Sequence, residues 1–287
     1  MLAVISQVLV CPNCRAALLR EGAALRCVQG HSFDIAREGY VNLLPGGAGS
    51  STADTPEMVS ARRAFLSAGH FEAVATAVAR AARAAAADDV PGVVLDAGAG
   101  TGYVVGTVLD ALPLRPGLAL DLSKHAVRVA ARSHDRLGAV VADVWQSWPV
   151  RDRACALVLN VFAPRNAAEF GRVLDPRGAL IVVTPESDHL VEIVGPLGLL
   201  SVDPHKEERL SASLDGLFER VDSDVVSYPI SLDGAGVVAA ALMGPSAAHL
   251  SADEIETRCE SLRVPVTVTV AVTVGTYRPR ARSVVSP

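Results

Sequence analysis

The sequence predicts an α/β fold: a largely parallel sheet covered by helices on both faces, behind a small Cys/His-rich module. Three observations predict it. From Pro91 onward, short apolar runs alternate with helical segments; three cysteines and a histidine cluster before position 32; and half of the 287 residues are hydrophobic. That length and composition suit one large domain with an accessory unit and exclude wholesale disorder.

Taken in order, residues 8 to 44 show short turns and no helical period. Gly46 to Thr52 reads as a linker, rich in Gly and Ser. Thr55-Pro56-Glu57 starts a helix, with Thr55 as N-cap and Pro56 at the first helical position. It runs through Arg62, Arg63 and Phe65 to stop near Gly69. An alanine-rich helix follows from about Phe71 to Ala87. Buried strands are expected at Val93 to Ala97, Leu118 to Asp121, Ala139 to Ala142, Ala154 to Asn160 and Ala179 to Thr184. The near-strict alternation of Val266 to Val274 is the best strand signal in the chain, and Val221 to Ile230 is its expected partner. Together they make a seven-stranded sheet. The tail from Tyr277, with Arg278, Arg280 and Arg282, is expected to fray.

The formal charge of −5 argues against nucleic-acid binding driven by net charge, though not against a local basic groove. Lys124 and Lys206 are the only lysines, so the basic character is carried by arginine. No stretch reaches the roughly 18 to 20 apolar residues needed to span a bilayer. The apolar opening lacks a basic start, so no signal peptide is expected. Five cysteines, an odd number and unevenly placed, fit a metal site in a reducing cytoplasm better than a disulfide framework.

Val93 to Gly102 holds the most informative turn. An apolar strand ends in Asp96, and Gly98, Gly100 and Gly102 lead into a helix. Glycines accept positive φ and let the backbone approach a ligand; the strand-to-helix turn presents N–H groups to an anion. A dinucleotide fingerprint needs a third glycine where Tyr103 stands. The Gly-x-Gly-x-Gly spacing instead resembles the first motif of class I S-adenosylmethionine-dependent methyltransferases. Two later strand ends fit. Asp121 is placed to accept ribose hydroxyls, and Ala142-Asp143-Val144-Trp145 resembles an adenine loop, with Asp143 for the exocyclic amine and the Val144 N–H for a ring nitrogen. A single carboxylate at a strand end is ordinarily a helix cap; three in register favour a cofactor site.

Cys11 and Cys14 form a C-x2-C pair, followed by Cys27 and His31 as C-x3-H. Two ligands on each of two tight turns can converge as a tetrahedron on Zn²⁺. Four protein ligands close the shell, so the metal is structural, and a module this small needs it in order to fold. Cys155 reads as core packing. Cys259, on a late helix, has no assigned role. The expected division is a zinc-ribbon RNA-recognition module over residues 1–45, a linker with helices over 46–90, and the methyltransferase domain over 91–287.

The segment from His31 through Phe33, Arg37, Gly39, Tyr40 and Asn42 to Leu44 resembles the RlmA family of 23S rRNA guanine-N1 methyltransferases, as does Ala61 to Phe71. Leu159-Asn160-Val161-Phe162-Ala163-Pro164-Arg165-Asn166 and Met243-Gly244-Pro245-Ser246 look like its Gram-positive branch, which includes TlrB-type macrolide-resistance enzymes. The resemblance implies methylation of a guanine N1 in a 23S rRNA hairpin near the peptide exit tunnel, by a homodimer whose zinc modules help form the RNA cleft. Arg37, Arg62, Arg63 and Arg165 become candidates for RNA contacts, each with a solvated surface arginine as the plainer alternative.

Guanine N1 carries a proton and must be exposed and aligned with the methyl donor. Asn160 and Pro164 follow the fourth strand, where this fold usually seats its substrate, and are the candidates for positioning the guanine edge. No general base is evident; His189 and His205 are possible. Two other readings stay open: a small-molecule methyltransferase acting on a macrolide or a quinone, and a non-catalytic zinc-ribbon RNA-binding protein.

Overall fold

The structure, a computed structural model, describes residues 5–45, 53–200, 213–244, 247, 250, 252–260 and 262–280. The expected linker at 46–52, and Pro245, Ser246, His205, Lys206 and Arg282, lie outside the described residues.

Three short strands open the chain as a small antiparallel sheet: β1 (Leu19–Glu21), β2 (Ala24–Arg26) and β3 (Ser32–Asp34). A fourth, β4 (Tyr40–Asn42), leaves this sheet and pairs in parallel with β7 (Leu137–Val141) of the main one. Two helices come next, α1 (Pro56–Ser67) and α2 (Glu72–Ala85). As the sequence predicts, the Thr55 hydroxyl caps α1 by accepting the Met58 N–H at 3.3 Å, with Pro56 in the first turn. Alanines 75, 77, 79, 82 and 85 bury one side of α2, and side chains this small let it lie close against β9 and β11.

The remaining elements are β5 (Val93–Ala97), α3 (Tyr103–Ala111), β6 (Gly117–Asp121), α4 (Lys124–Ala130), β7, β8 (Cys155–Val161), α5 (Ala167–Val173), β9 (Leu174–Pro185), α6 (Val191–Leu197), β10 (Phe218–Leu232), α7 (Gly234–Leu242), α8 (Ala252–Cys259) and β11 (Val266–Pro279). They build a sheet of order β10-β11-β9-β8-β5-β6-β7-β4. β7, β6, β5, β8 and β9 run parallel, while β11 pairs antiparallel with both β9 and β10. All seven expected strands are present, and β4 adds an eighth.

The tail differs from expectation. Tyr277 and Arg278 do not fray: β11 runs on to Pro279, Tyr277 pairs with Leu180 and Arg220, and only 5% of it is exposed. Arg278 donates to the carbonyls of Arg177, Gly178 and Ala85. The alternation weakens at Gly275, but neighbours on both sides supply ladder bonds that carry the strand past it.

Successive strand residues face opposite sides, so the sheet has two cores. Val94, Leu157, Leu159, Ile181 and Val272 pack under α2, α3 and α7. Leu95, Val158, Leu180 and Val182 face the other way, joining a cluster that contains Ile5, Leu9, Cys11, Leu18 and Leu25. The Cys/His-rich segment therefore shares a core with the sheet. Trp148 is fully buried in that same cluster, with its indole N–H donating to the Val144 carbonyl at 3.0 Å. Among the described residues no helix is long and apolar enough to cross a membrane.

Candidate metal centre and cofactor cleft

Cys11, Cys14, Cys27 and His31 come together with all ligand atoms within 4.8 Å of one another. Cys14 Sγ lies 3.7 Å from Cys27 Sγ, and His31 Nδ1 is 3.3 Å from Cys27 Sγ and 3.5 Å from Cys11 Sγ. Tetrahedral Zn²⁺ with bonds of about 2.3 Å to sulfur sets neighbouring sulfurs roughly 3.8 Å apart, so the donor set and spacing fit the ion. Backbone turns hold the ligands: Arg15 N–H donates to the Cys11 carbonyl, and Cys27 N–H to the His31 carbonyl. Four protein donors leave no open coordination position, which makes the site structural.

Sequence reasoning missed Arg15. It follows Cys14 with a left-handed φ of 62° and reaches the carbonyls of Trp148 at 2.6 Å and Val150 at 3.2 Å. It thereby ties the metal turn to the segment that follows Val144. Neither a motif nor a period marks such a residue in advance.

The expected cofactor residues gather at the carboxyl ends of β5, β6 and β7, where an open parallel sheet forms its ligand crevice. Gly98, Gly100 and Gly102 have φ of 79°, 53° and 79°. A Cβ on Gly98 would stand 2.5 Å from the Ala163 Cβ, and one on Gly102 would stand 2.5 Å from Ser133 Oγ. The turn is glycine-rich for close approach as well as for φ. Its N–H groups differ from expectation, because four of them are spent inside the protein. Gly98 and Ala99 both donate to the Leu120 carbonyl, Gly102 donates to the Ala99 carbonyl, and Gly100 donates to Asp121 Oδ2 at 2.8 Å. These groups make a smooth wall, not an anion cradle.

Asp121 braces that wall. Its other oxygen accepts the Ser123 N–H at 2.8 Å, and each carboxylate oxygen keeps a second lone pair for a ligand hydroxyl. Burial raises its pKa, opposed by the two N–H bonds. Asp96 is fully buried beside it, and burial with the neighbouring Asp121 charge pushes its carboxyl up to about 8. On the adjacent strand Asn160 is also buried, its amide donating to the carbonyls of Ala97 and Pro164 at 3.4 and 2.9 Å. Asp96 Oδ1 and Asn160 Oδ1 are both buried with no partner. Two orphaned acceptors beside a Cβ-free turn suit a ligand that carries an ammonium group, as S-adenosylmethionine does.

Asp143 Oδ1 accepts the Trp145 N–H at 2.9 Å and so shapes the loop after β7, while the Val144 carbonyl takes bonds from Trp148 and Asn166. Trp145 itself is exposed.

The four arginines are not brought together as one patch. Arg37 and Arg63 are exposed. Arg62 folds inward over the glycine turn, pairing with Asp54 and donating to the Met243 carbonyl at 2.9 Å, with its guanidinium 3.3 Å from where a Gly100 Cβ would stand. Arg165 is half-buried, its Nε lacks a partner, and burial lowers its pKa. His189 Nδ1 accepts the Ala271 N–H at 3.2 Å, so the neutral ring carries its proton on Nε2. That tautomer is a donor at Nε2 and offers no lone pair there for a proton. Cys155 and Cys259 are buried in the two cores, where burial raises both thiols.

Residues 9–51 match the zinc-ribbon model of the RlmA N-terminal region. The 23S rRNA (guanine(748)-N(1))-methyltransferase of Streptomyces fradiae is 46% identical over 94% of this chain and 96% of its own length. A provisionally named 23S rRNA (guanine-N1)-methyltransferase of Micromonospora griseorubida is 49% identical over the same shares, 94% and 96%. Among solved structures, the YcgJ protein of Bacillus subtilis aligns with a TM-score of 0.49 at 14% identity, covering 72% of this chain and 99% of that one.

Proposed function

The chain belongs to the family of 23S rRNA (guanine-N1)-methyltransferases, and from that premise we propose that it methylates N1 of a guanine in 23S rRNA with S-adenosylmethionine as donor. The observation that carries this reading is the end-to-end likeness to relatives named for that reaction, across the zinc ribbon and the cofactor cleft alike. The donor, when bound, supplies a methyl group on a sulfonium, already activated for attack.

The chain's own residues have four tasks. Asp121 holds the ribose hydroxyls with its remaining lone pairs, and Asp143 with the Val144 N–H receives the adenine. Asp96 Oδ1 and Asn160 Oδ1 accept from the amino-acid end. Arg62, lying over Gly100, takes the carboxylate, a role assigned beside the RNA contact that the family resemblance implies for it. Asn160 also holds the Pro164 carbonyl in place beside the incoming guanine edge, whose N1 must be aligned with the methyl before its proton leaves. The catalytic gain assigned to the protein is chiefly alignment, and the N1 proton passes to solvent water as the N–C bond forms.

The finer reading we propose rests on the resemblance to TlrB-type enzymes. The target lies in a hairpin near the peptide exit tunnel, the enzyme acts as a cytoplasmic homodimer, and its modification confers macrolide resistance. Residues 1–45 serve RNA recognition, with exposed Arg37 and Arg63 and half-buried Arg165 as contacts, while 91–287 carry the chemistry.

Primer extension across 23S rRNA incubated with the protein and S-adenosylmethionine tests the proposal. N1 methylation blocks Watson–Crick pairing, so a stop at one guanine is expected. No stop, with methyl label passing instead to a small macrolide or quinone acceptor, would overturn it.

A further inference from the structure

We propose that Phe162 is the platform on which the target guanine stacks, an inference that rests on the rRNA reading above. Phe162 stands two residues beyond Asn160, the first residue after β8 ends at Val161. Its φ is +52°, a left-handed conformation that a glycine adopts freely and a bulky aromatic residue rarely does. Strain of this kind persists where the surrounding structure enforces it, and it concentrates at functional sites. The enforcement is visible here. The Phe162 N–H bonds to the Val183 carbonyl at 3.3 Å, and Asn160 ties the loop from inside through the Pro164 carbonyl at 2.9 Å.

The strained backbone presents a large apolar ring outward: Phe162 is 42% exposed at the mouth of the cleft. The ring is nonetheless braced. His189 stacks on it at 5.8 Å between centroids and 30° between planes, and buried Phe71 meets it at 5.8 Å. His189 is in turn oriented by the Ala271 N–H. Three segments distant in sequence thus hold one exposed aromatic face. The neighbour Ala163 touches Gly98 across the cleft, so this face borders the cofactor turn.

An unstacked guanine needs such a surface. Leaving its own stack costs energy, and an aromatic side chain returns part of it while orienting the base. A small hydrophobic residue could fill the same space without offering a π-face.

The test compares Phe162→Leu and Phe162→Trp with the wild-type protein on a 23S rRNA hairpin transcript. Phe162→Leu keeps the apolar contact with Phe71 and loses the ring. It should lower kcat/KM for the transcript by roughly 10- to 100-fold, leaving S-adenosylmethionine affinity and melting temperature unchanged. Phe162→Trp should retain most of the activity. Wild-type turnover in Phe162→Leu overturns the platform, as does a loss matched by falling cofactor affinity or melting temperature. A wild-type protein that leaves the transcript's guanines unmethylated, in contrast, overturns the rRNA reading itself.

Discussion

The two sides of the cleft are built differently. On the cofactor side, Asp96 to Gly102, Asp121 to Ser123 and Asp143 to Trp145 each do their work within a few residues of a strand end. Asp121 and Asp143 hold them by accepting backbone N–H groups of the same turns and, at Gly100, of the turn beside it. On the other side, Phe71, Asn160 to Pro164 and His189 come from a helix start, the end of β8 with the loop after it, and the loop after β9, and ring contacts join Phe71, Phe162 and His189. The first side is a property of strand ends and the second of packing. They meet where Gly98 faces Ala163 and where the Asn160 amide donates to the Ala97 carbonyl.

Asp121→Ala should produce the largest split between them. It leaves the Gly100 and Ser123 N–H groups without their acceptor, at about 1–3 kcal/mol each where buried. S-adenosylmethionine affinity should fall by about 100-fold or more in calorimetric titration, while binding of an RNA transcript holds. Equal losses on both would erase the distinction.

Gly98→Ala attacks the meeting point and should weaken cofactor and RNA binding together, by about tenfold each. A second change, Ala163→Gly, removes the atom that stands 2.5 Å from the new Cβ. The double variant should recover part of the loss, because the clash goes while the left-handed strain of roughly 1–2 kcal/mol stays. Absence of any recovery would mean that the two sides do not meet there.

The smallest effect sharpens the electrostatics. Asp96 rises from an ordinary 3.8 to about 8 in the folded state, so between these values the native protein holds a proton that the unfolded chain has released. Its contribution to stability therefore declines as pH rises through that window. Relative to Asp96→Asn, the wild-type protein without cofactor should lose a few degrees of melting temperature between pH 5 and pH 8. A constant difference across that range would show that Asp96 is ionised throughout.

Legibility follows the same division. Cys11, Cys14, Cys27 and His31 were readable because paired ligands on short turns carry their spacing in the sequence, and the donor distances agree with it. The three carboxylates were readable because they end apolar runs. Arg62 was not: its number of residues from the glycine turn says nothing of a side chain folded back over Gly100 onto Asp54. β4 was missed because three residues have no period to read, and it exists only where β7 offers a ladder. Tyr277 and Arg278 were misjudged for a related reason, since their strand is sustained by β9 and β10 and not by their own alternation.

The sequence by itself determined where the parallel strands lie along the chain, the metal ligands, the glycine turn and the family resemblance. Each of these is encoded in a short segment whose geometry is set by local spacing and by which residues tolerate a tight turn. Only the tertiary structure decided that the turn's N–H groups are spent inside the protein, that Arg62 folds over Gly100 onto Asp54, and that Phe162 is held exposed in a left-handed backbone. Those features depend on neighbours far away along the chain, and burial and partnership are properties of the packed molecule that no spacing records.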